Sequence, residues 1–526
     1  MDAKISNVRI CGMASCVPDE EEDNYDFFNI LGERKVKKQV RLTGVRKRHV
    51  ANKYQRSSDF GIKAVNDLLN ELDWERESIG VLIYLTQSPD YTMPSTAIVM
   101  QDRLQLSKEC IAFDVNLGCS SFNYGVHTVA SLLENSCTIK RGLCVIAETV
   151  PALRSRRFLD SDTVSFSMLF GAAGAAVALE KIENSEMFFS GICDGANYDA
   201  IVNYGNGLGT KMQGDKVFEF AINDVADQIM AFIGKNGLQE EDIDYYVFHQ
   251  AQQLILDNIA DACDLPEDKV LFSLENYGNT SGVSVPLTLC ANRERVQEKS
   301  KVKVLFCGFG VGLSSGITYV ELDTKHILPI TTTSEHFDED KIPLGELSDQ
   351  SVIIMDGDSC MGSLLARYCD ECGAKTILCG KDQSKLSELS ECLCWNSDII
   401  VYEDNDELSE KISKLSSEPD SLVGMNVMQL RTLQEFVGEK KSFVVLKDAS
   451  QKGSDVTESL SGANYIEYDS SDFQWDDHVE REFAWSRRIL QDGLPQAMLK
   501  PLNVCRCVIW FLRNDNKFLK DVTLRI

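Results

Sequence analysis

Short apolar runs of strand length alternate along this chain with stretches whose apolar residues recur at helical spacing, a pattern that predicts an α/β fold. Gly80–Thr86, Gly142–Ala147, Asp244–Phe248 and Lys303–Cys307 read as strands. The alternation breaks off in the polar stretch Thr331–Gln350, which contains TTTSEHFDED and reads as a linker, and restarts at Ser351. Two folded parts are expected, residues 1–325 and 351–526, joined by residues 326–350.

The first part repeats itself. FDVNLGCSS (Phe113–Ser121) pairs with FSLENYGNTS (Phe272–Ser281) at an offset of about 160, and Cys144–Ile146 pairs with Val304–Phe306 at the same offset. Val81–Gln87 matches Tyr245–Gln250 to within a few residues. Two superposable halves, about 1–180 and 181–325, follow from this. Cys119 and Asn279 then occupy equivalent loops, His249 ends a paired strand, and the three are predicted to converge near a pseudo-two-fold axis.

The 526 residues suffice for two large domains, and 44% hydrophobic with 25% charged residues is globular composition. A net charge of −28 repels phosphate backbones and anionic lipid, which argues against nucleic acid and membrane surfaces as partners, and an acidic substrate would need a local basic patch. The second part is the more acidic per residue. The longest small-and-apolar run, Met168–Leu179, is 12 residues, too short for a bilayer. MDAKISNVRI lacks an apolar signal core, and a cytoplasmic protein is expected, its 18 cysteines mostly buried thiols.

Cys119 lies in DVNLGCSSFNYGVHTVASLL, where a strand (Ala112–Asn116) runs into a Gly118 turn and a helix is expected to start at the cysteine. A helix N-terminus lowers a thiol pKa and presents free N–H groups, so Cys119 is a candidate nucleophile and oxyanion donor. A buried structural cysteine is the alternative. His249 ends the strand of DYYVFHQAQQLIL, one of six histidines, and Asn279 sits in the loop of NYGNTSGVSVP. Locally, each also reads as an ordinary polar or turn residue.

Taken together, LTGVRKRHV (Leu42–Val50), MPSTA (Met93–Ala97), DVNLGCSSF, LFGAAGAAVAL (Leu169–Leu179), VFHQA, NYGNTSGVSVP and GFGVGLSSG (Gly308–Gly316) resemble β-ketoacyl-acyl-carrier-protein synthase III and its thiolase-fold relatives. The resemblance covers residues 1–325 and implies a duplicated αβαβα condensing-enzyme fold. It implies a Cys119–His249–Asn279 triad, an oxyanion hole from the backbone N–H groups of Cys119 and Val311, and no metal or other cofactor. The implied reaction is a decarboxylative Claisen condensation between an acyl-Cys119 intermediate and a malonyl thioester. The partners would be acyl thioesters on acyl carrier protein or coenzyme A. Met93 falls where the family reaches across a homodimer interface into the partner's acyl pocket, or is an ordinary buried methionine.

Several positions depart from the family. Lys38 and Leu42 stand where close relatives stack a tryptophan and an arginine on the coenzyme A adenine. Leu254 replaces a carrier-docking arginine, and Ala172 replaces the LFGD aspartate. Arg154, Arg156, Arg157 and Lys211 are candidate contacts for a pantetheine phosphate or acidic carrier, or simply a solvated charged face.

SVIIMDGDSCMGSLLARYCDECGAKTILCGKDQSKLSEL, from Ser351, resembles the opening βαβ of short-chain dehydrogenase/reductases, and the chain's end resembles their last helix and strand. A truncated Rossmann-like domain without catalysis is expected. Asp356 and Cys360 replace the first two fingerprint glycines, Gly362 keeps the third, and no Tyr-x-x-x-Lys pair occurs. Lys381 could mimic a 2′-phosphate contact. Cys369/Cys372, Cys392/Cys394 and Cys505/Cys507 are close pairs, read as buried thiols in preference to a zinc site. Besides a condensing enzyme, the sequence leaves open an acyltransferase that passes the same acyl group to a hydroxyl, amine or other acceptor. A synthase–reductase fusion and a scaffold with a relic triad also stay open.

Overall fold

The computed structural model describes residues 1–52, 55–149, 167–203, 210–337, 350–393, 397–415 and 419–424, with shorter pieces out to residue 525. The chain divides into two compact units, the first ending at Phe337 and the second beginning at Asp338.

The first unit is built on a ten-stranded mixed sheet. Its strands are β1 (Asp2–Pro18), β2 (Ile79–Leu85), β3 (Ile111–Val115), β4 (Arg141–Glu148), β5 (Ala173–Cys193), β6 (Tyr245–Phe248), β7 (Val270–Leu271), β8 (Lys301–Gly310), β9 (Ser314–Asp323) and β10 (Thr331–Thr333). They run in the order β7-β6-β8-β9-β5-β4-β2-β3, with β1 paired to β5 and β10. That order is symmetric. β2 pairs in parallel with β3 and β4, and β4 turns back antiparallel onto β5. In the same way β6 pairs in parallel with β7 and β8, and β8 turns back onto β9. The two halves meet where β9 lies against β5. Residue 180 falls inside β5, whose Ala173–Glu180 pairs with β4 and whose Met187–Cys193 pairs with β9.

The main helices of this unit include α1 (Glu33–Thr43), α2 (Ser57–Leu72), α3 (Ser121–Asn135) and α4 (Gln253–Ala262), and a further one, α5 (Ser284–Ala291), is the counterpart of α3. Phe122, Val126, Val129 and Leu133 of α3 share one core with Val285, Leu287 and Leu289 of α5 and with Val81, Ile83, Cys144, Ile146, Val304 and Phe306 of the strands. The alternate strand residues Leu82, Tyr84, Leu143 and Val145 pack on Ala64, Val65, Leu68 and Leu69 of α2. Tyr246, Phe248, Leu305 and Cys307 pack on Ile255, Leu256 and Ile259 of α4. Both faces of each central strand are thus covered, which explains their unbroken apolar runs: α3 and α5 pack against both halves of the sheet, while α2 and α4 each pack on the other face of one half.

The expected linker is shorter than the sequence suggests. β10 lies parallel on the end of β1, Thr331–Thr333 opposite Cys16–Pro18. Buried Gln55 donates its amide to the carbonyls of Thr333 at 2.8 Å and Glu335 at 3.2 Å. Phe337 lies under the Arg103 guanidinium, 4.3 Å from the ring centre. Residues 326–337 therefore belong to the first unit, because their polar side chains serve a strand edge and a buried amide.

Among the described residues the sheet of the second unit has seven parallel strands. β11 (Ser351–Ile354), β12 (Lys375–Gly380), β13 (Asp398–Val401), β14 (Ser421–Gly424), β15 (Ser442–Asp448), β16 (Asn464–Tyr468) and β17 (Thr523–Arg525) run in the order β13-β12-β11-β14-β15-β16-β17. Helix α6 (Cys360–Glu371) follows β11. The order is that of a doubly wound sheet. Among the described residues no helix is long and apolar enough to cross a membrane.

Candidate active site

Cys119 stands in the turn between β3 and α3, two residues before the helix begins, rather than at its first residue. The Ser121 N–H donates to Gly118 O at 2.9 Å and closes that turn. Two glycines of β8 lie flat against the cysteine. A Cβ on Gly308 would stand 2.7 Å from the Cys119 carbonyl oxygen, and one on Gly310 would stand 2.8 Å from Sγ itself. Gly310 also has φ +147°, open to glycine alone without strain. The GFGVG sequence is thus the wall that lets backbone approach a sulfur.

His249 follows β6 and is buried. Its Nδ1 lies 3.0 Å from the carbonyl oxygen of Ser281 and 2.8 Å from Ser284 Oγ. A carbonyl only accepts, and the single Ser284 hydroxyl proton already goes to that same carbonyl at 2.6 Å. Nδ1 must therefore carry the proton, which leaves Nε2 to face Cys119, with which the imidazole hydrogen-bonds. Asn279 is oriented from both ends of its amide. Ser281 N–H donates to Oδ1 at 2.9 Å, and Nδ2 donates to Ala251 O at 3.2 Å. One Nδ2 proton remains for a ligand.

Electrostatics favour a reactive sulfur. Burial pushes the Cys119 thiol up. The charge and hydrogen bond of His249, the backbone N–H of Val311 and the Ser281 side chain outweigh it and bring the thiol down to about 7. Three buried thiols show the opposite shift. Burial pushes Cys16, Cys290 and Cys307 up to about 12. An imidazole acts on Cys119 and on none of these three.

Two neighbours escaped the sequence reading. Gln87 follows β2 as His249 follows β6, and its carboxamide fills the space left by the missing Cβ of Gly118. Glu148 ends β4 in a buried position, where burial pushes its carboxyl up to about 7, with the Cys119 charge adding to the effect. It accepts from Gln87 N–H at 2.9 Å and Ser88 Oγ at 2.7 Å, and so holds the strand-end segment beside the cysteine. A lone carboxylate closing the apolar run LCVIAE was the available signal.

Met93 is 82% exposed, so the buried-methionine alternative fails for the isolated chain. Lys211 lies in the strand Thr210–Met212, opposite Val202. Arg154, Arg156 and Arg157 lie outside the described residues, as do Cys394, Cys505 and Cys507.

The family model of 3-oxoacyl-[acyl-carrier-protein] synthase III matches residues 113–195, and that of its C-terminal part matches residues 233–322. The first span holds Cys119 and the second holds His249 and Asn279. β-Ketoacyl-[acyl-carrier-protein] synthase III 2 of Halalkalibacterium halodurans is 30% identical over 327 residues, 59% of this chain and 95% of that one. The chain belongs to the synthase III family. The synthase III of Streptococcus pyogenes serotype M4 is likewise 30% identical over 329 residues, 60% of this chain and 99% of that one. In three dimensions, a 3-oxoacyl-(acyl-carrier protein) synthase from Burkholderia xenovorans superposes with a TM-score of 0.59 at 28% identity, covering 63% of this chain and 99% of that one. The departures from the synthase III pattern fall at defined positions. Lys38 and Leu42 are exposed on α1, Leu254 is exposed on α4, and Ala172 is buried with its N–H on His49 O at 2.9 Å.

Family membership rests on the first unit. In the second, the turn after β11 is closed by its own side chains. Asp358 Oδ2 accepts the backbone N–H groups of Lys381 at 2.9 Å and Asp382 at 2.8 Å, just past β12, where a dinucleotide-binding sheet receives a ribose. Ser359 caps α6 by accepting Gly362 N–H at 3.1 Å, and Gly362 lets the helix sit directly on the Asp356 backbone. Burial and the Asp358 charge push the Asp356 carboxyl up. Carboxylates thus stand where a pyrophosphate would need uncapped N–H donors, and these residues do not fit a nicotinamide dinucleotide. Among the described residues no His, Cys, Asp and Glu cluster could hold a metal, and Cys369 is buried on α6 beside half-buried Cys372.

Proposed function

We propose that this protein is a condensing enzyme that builds a β-ketoacyl thioester, as its family's name states. The observation that carries the reading is the hydrogen-bonded Cys119–His249 pair at the ends of β3 and β6, with the oriented Asn279 amide beside it. The Cys119 thiolate attacks the carbonyl carbon of an acyl thioester. The oxyanion is held by the N–H groups of Cys119 and Val311, the carbon–sulfur bond to the carrier breaks, and the leaving thiolate takes a proton from solvent. The thiol's own proton stays on His249 Nε2. A malonyl thioester then loses CO₂, and the enolate oxygen is stabilised by Nε2–H and the free Asn279 Nδ2–H. The enolate carbon attacks the acyl-Cys119 carbonyl, and the collapse of that adduct releases the β-ketoacyl thioester and restores the thiolate–imidazolium pair.

A homodimer fits the same reading. β3 is a sheet edge, and exposed Ile111 and Phe113 on it, with exposed Ile98 and Met93, form an apolar margin suited to a second copy. The second unit is read as a Rossmann-like module without catalysis of its own, since its turn is filled by Asp358.

The test is twofold. Intact mass should show an acyl adduct on the wild type after exposure to an acyl thioester, and none on Cys119→Ser. Cys119→Gln should still release CO₂ from a malonyl thioester. Adduct formation without malonyl decarboxylation would make the protein an acyltransferase, and no adduct at all would leave only a scaffold.

A further inference from the structure

We propose that the outward face of α1 is the docking surface for an acidic carrier protein that delivers the thioester to Cys119; this rests on the condensing reading. The helix reads ERKVKKQVRLT, five cations and one carboxylate in eleven residues, on a chain whose net charge is −28. Val36 and Thr43 face inward and are buried. Arg34, Lys38 and Arg41, spaced i, i+4 and i+7, fall on the opposite side, with Lys35 and Lys37 flanking them, and all five are exposed. Lys37 pairs with Glu33 at 2.6 Å. Among the described residues no carboxylate pairs with Arg34, Lys35, Lys38 or Arg41. On so acidic a surface, such an unneutralised stripe is a local exception that attracts a partner of opposite sign.

Its place points to Cys119. α1 ends at Gly44, which has φ +76° and abuts Gln253, the first residue of α4 and the fourth after His249. Val45 shares a core with Phe248, and a Cβ on Gly278, next to Asn279, would touch Val45 at 3.4 Å. The Arg46 N–H bonds Glu275 O at 3.0 Å. The C-terminal end of the basic helix is thus rooted in the two loops that carry His249 and Asn279. α4 offers no such charge, since QLILDNIADA holds two aspartates and no cation.

The stripe favours a protein over free coenzyme A. It extends about 10 Å along the helix axis, the length of two turns on a facing acidic helix. It contains no aromatic ring on which an adenine could stack.

The probe is a fluorescein-labelled acyl carrier protein in its apo form, titrated into full-length protein carrying Cys119→Ala, so that binding is read without turnover. Binding at low salt is expected to weaken at least tenfold between about 25 and 250 mM NaCl. It should weaken at least tenfold at low salt in Arg34→Glu/Lys38→Glu/Arg41→Glu, whose exposed positions leave the core untouched. The charge-matched variant Lys4→Glu/Lys235→Glu/Lys301→Glu, cations that pair with carboxylates elsewhere, should bind as the parent does. With Cys119 intact, Arg34→Glu/Lys35→Glu/Arg41→Glu, which leaves Lys38 in place, should slow acyl transfer from the carrier at least tenfold and from acyl-coenzyme A less than twofold. No binding at low salt, equal loss in both triple variants, or equal slowing with both thioesters would overturn the proposal. Carrier binding through α1 without any acylation of Cys119 would leave the docking surface standing and remove the condensing reading alone.

Discussion

Two strand-to-helix junctions in this protein are built alike and furnished in opposite ways. β3 leads through Gly118 to Cys119 and α3, and β11 leads through Gly357 to Asp358 and α6. At the first, no side chain caps the helix, and the neighbouring strand ends supply an imidazole, a carboxamide and a backbone wall of glycines. At the second, Ser359 caps the helix and Asp358 binds the backbone of the next strand's end. A helix N-terminus is therefore only an opportunity. It becomes a reactive site when its donors stay uncapped and adjacent strands bring proton-transfer groups, and a closed structural turn when its own side chains take those donors.

The largest effect that would sharpen this contrast is expected at the glycine wall. In Gly310→Ala the new Cβ would press on Cys119 Sγ from 2.8 Å, at a φ that alanine tolerates poorly. Acylation of Cys119 should fall by about 100-fold or more, with a stability cost of about 1–3 kcal/mol, as seen by intact mass and thermal unfolding. Near wild-type acylation would mean that the close approach has no bearing on the sulfur.

A smaller effect isolates the electrostatics. Cys119 is held at about 7 against an ordinary 9.0, so its thiolate fraction, and its alkylation by iodoacetamide, should rise with pH through a midpoint near 7. In His249→Ala nothing of comparable strength opposes burial, and the midpoint should move to 9 or above. At pH 7 that change corresponds to a rate about 50-fold lower. An unshifted midpoint in the variant would show that the imidazole does not activate the sulfur.

Much of the first junction could be read before any coordinates, because duplication and glycine leave marks in a sequence. The offset of about 160 set Cys119 opposite Asn279, and the strand order of the sheet runs alike on either side of the contact between β9 and β5. What stayed hidden depends on who meets whom across the fold. The Ser281 carbonyl that fixes the His249 tautomer has no side-chain signature, and Gln87 looks like any loop glutamine until Gly118 is seen to make room for it. Thr331–Thr333 read as linker because short polar strands on a sheet edge lack an apolar pattern. On the second unit, lost glycines indicated poor nucleotide binding, but nothing in MDGDSC announced that Asp358 would reach the backbone beyond β12.

That reach gives the smallest and most specific way to break the comparison. Asp358→Ala leaves the N–H groups of Lys381 and Asp382 without their acceptor, and also removes a negative charge from the start of α6. Asp358 is half-buried, so the expected loss in the second unit's unfolding free energy is about 1–2 kcal/mol, less in Asp358→Asn, which keeps a neutral acceptor. Neither the wild type nor either variant should enhance or blue-shift NADPH fluorescence, because the Ser359 cap and Asp356 remain in the turn after Asp358 is altered. Saturable NADPH binding by the wild-type protein would show that the carboxylate does not close this turn. The second junction would then be a site as well, and the chain a synthase joined to a working nucleotide-dependent partner.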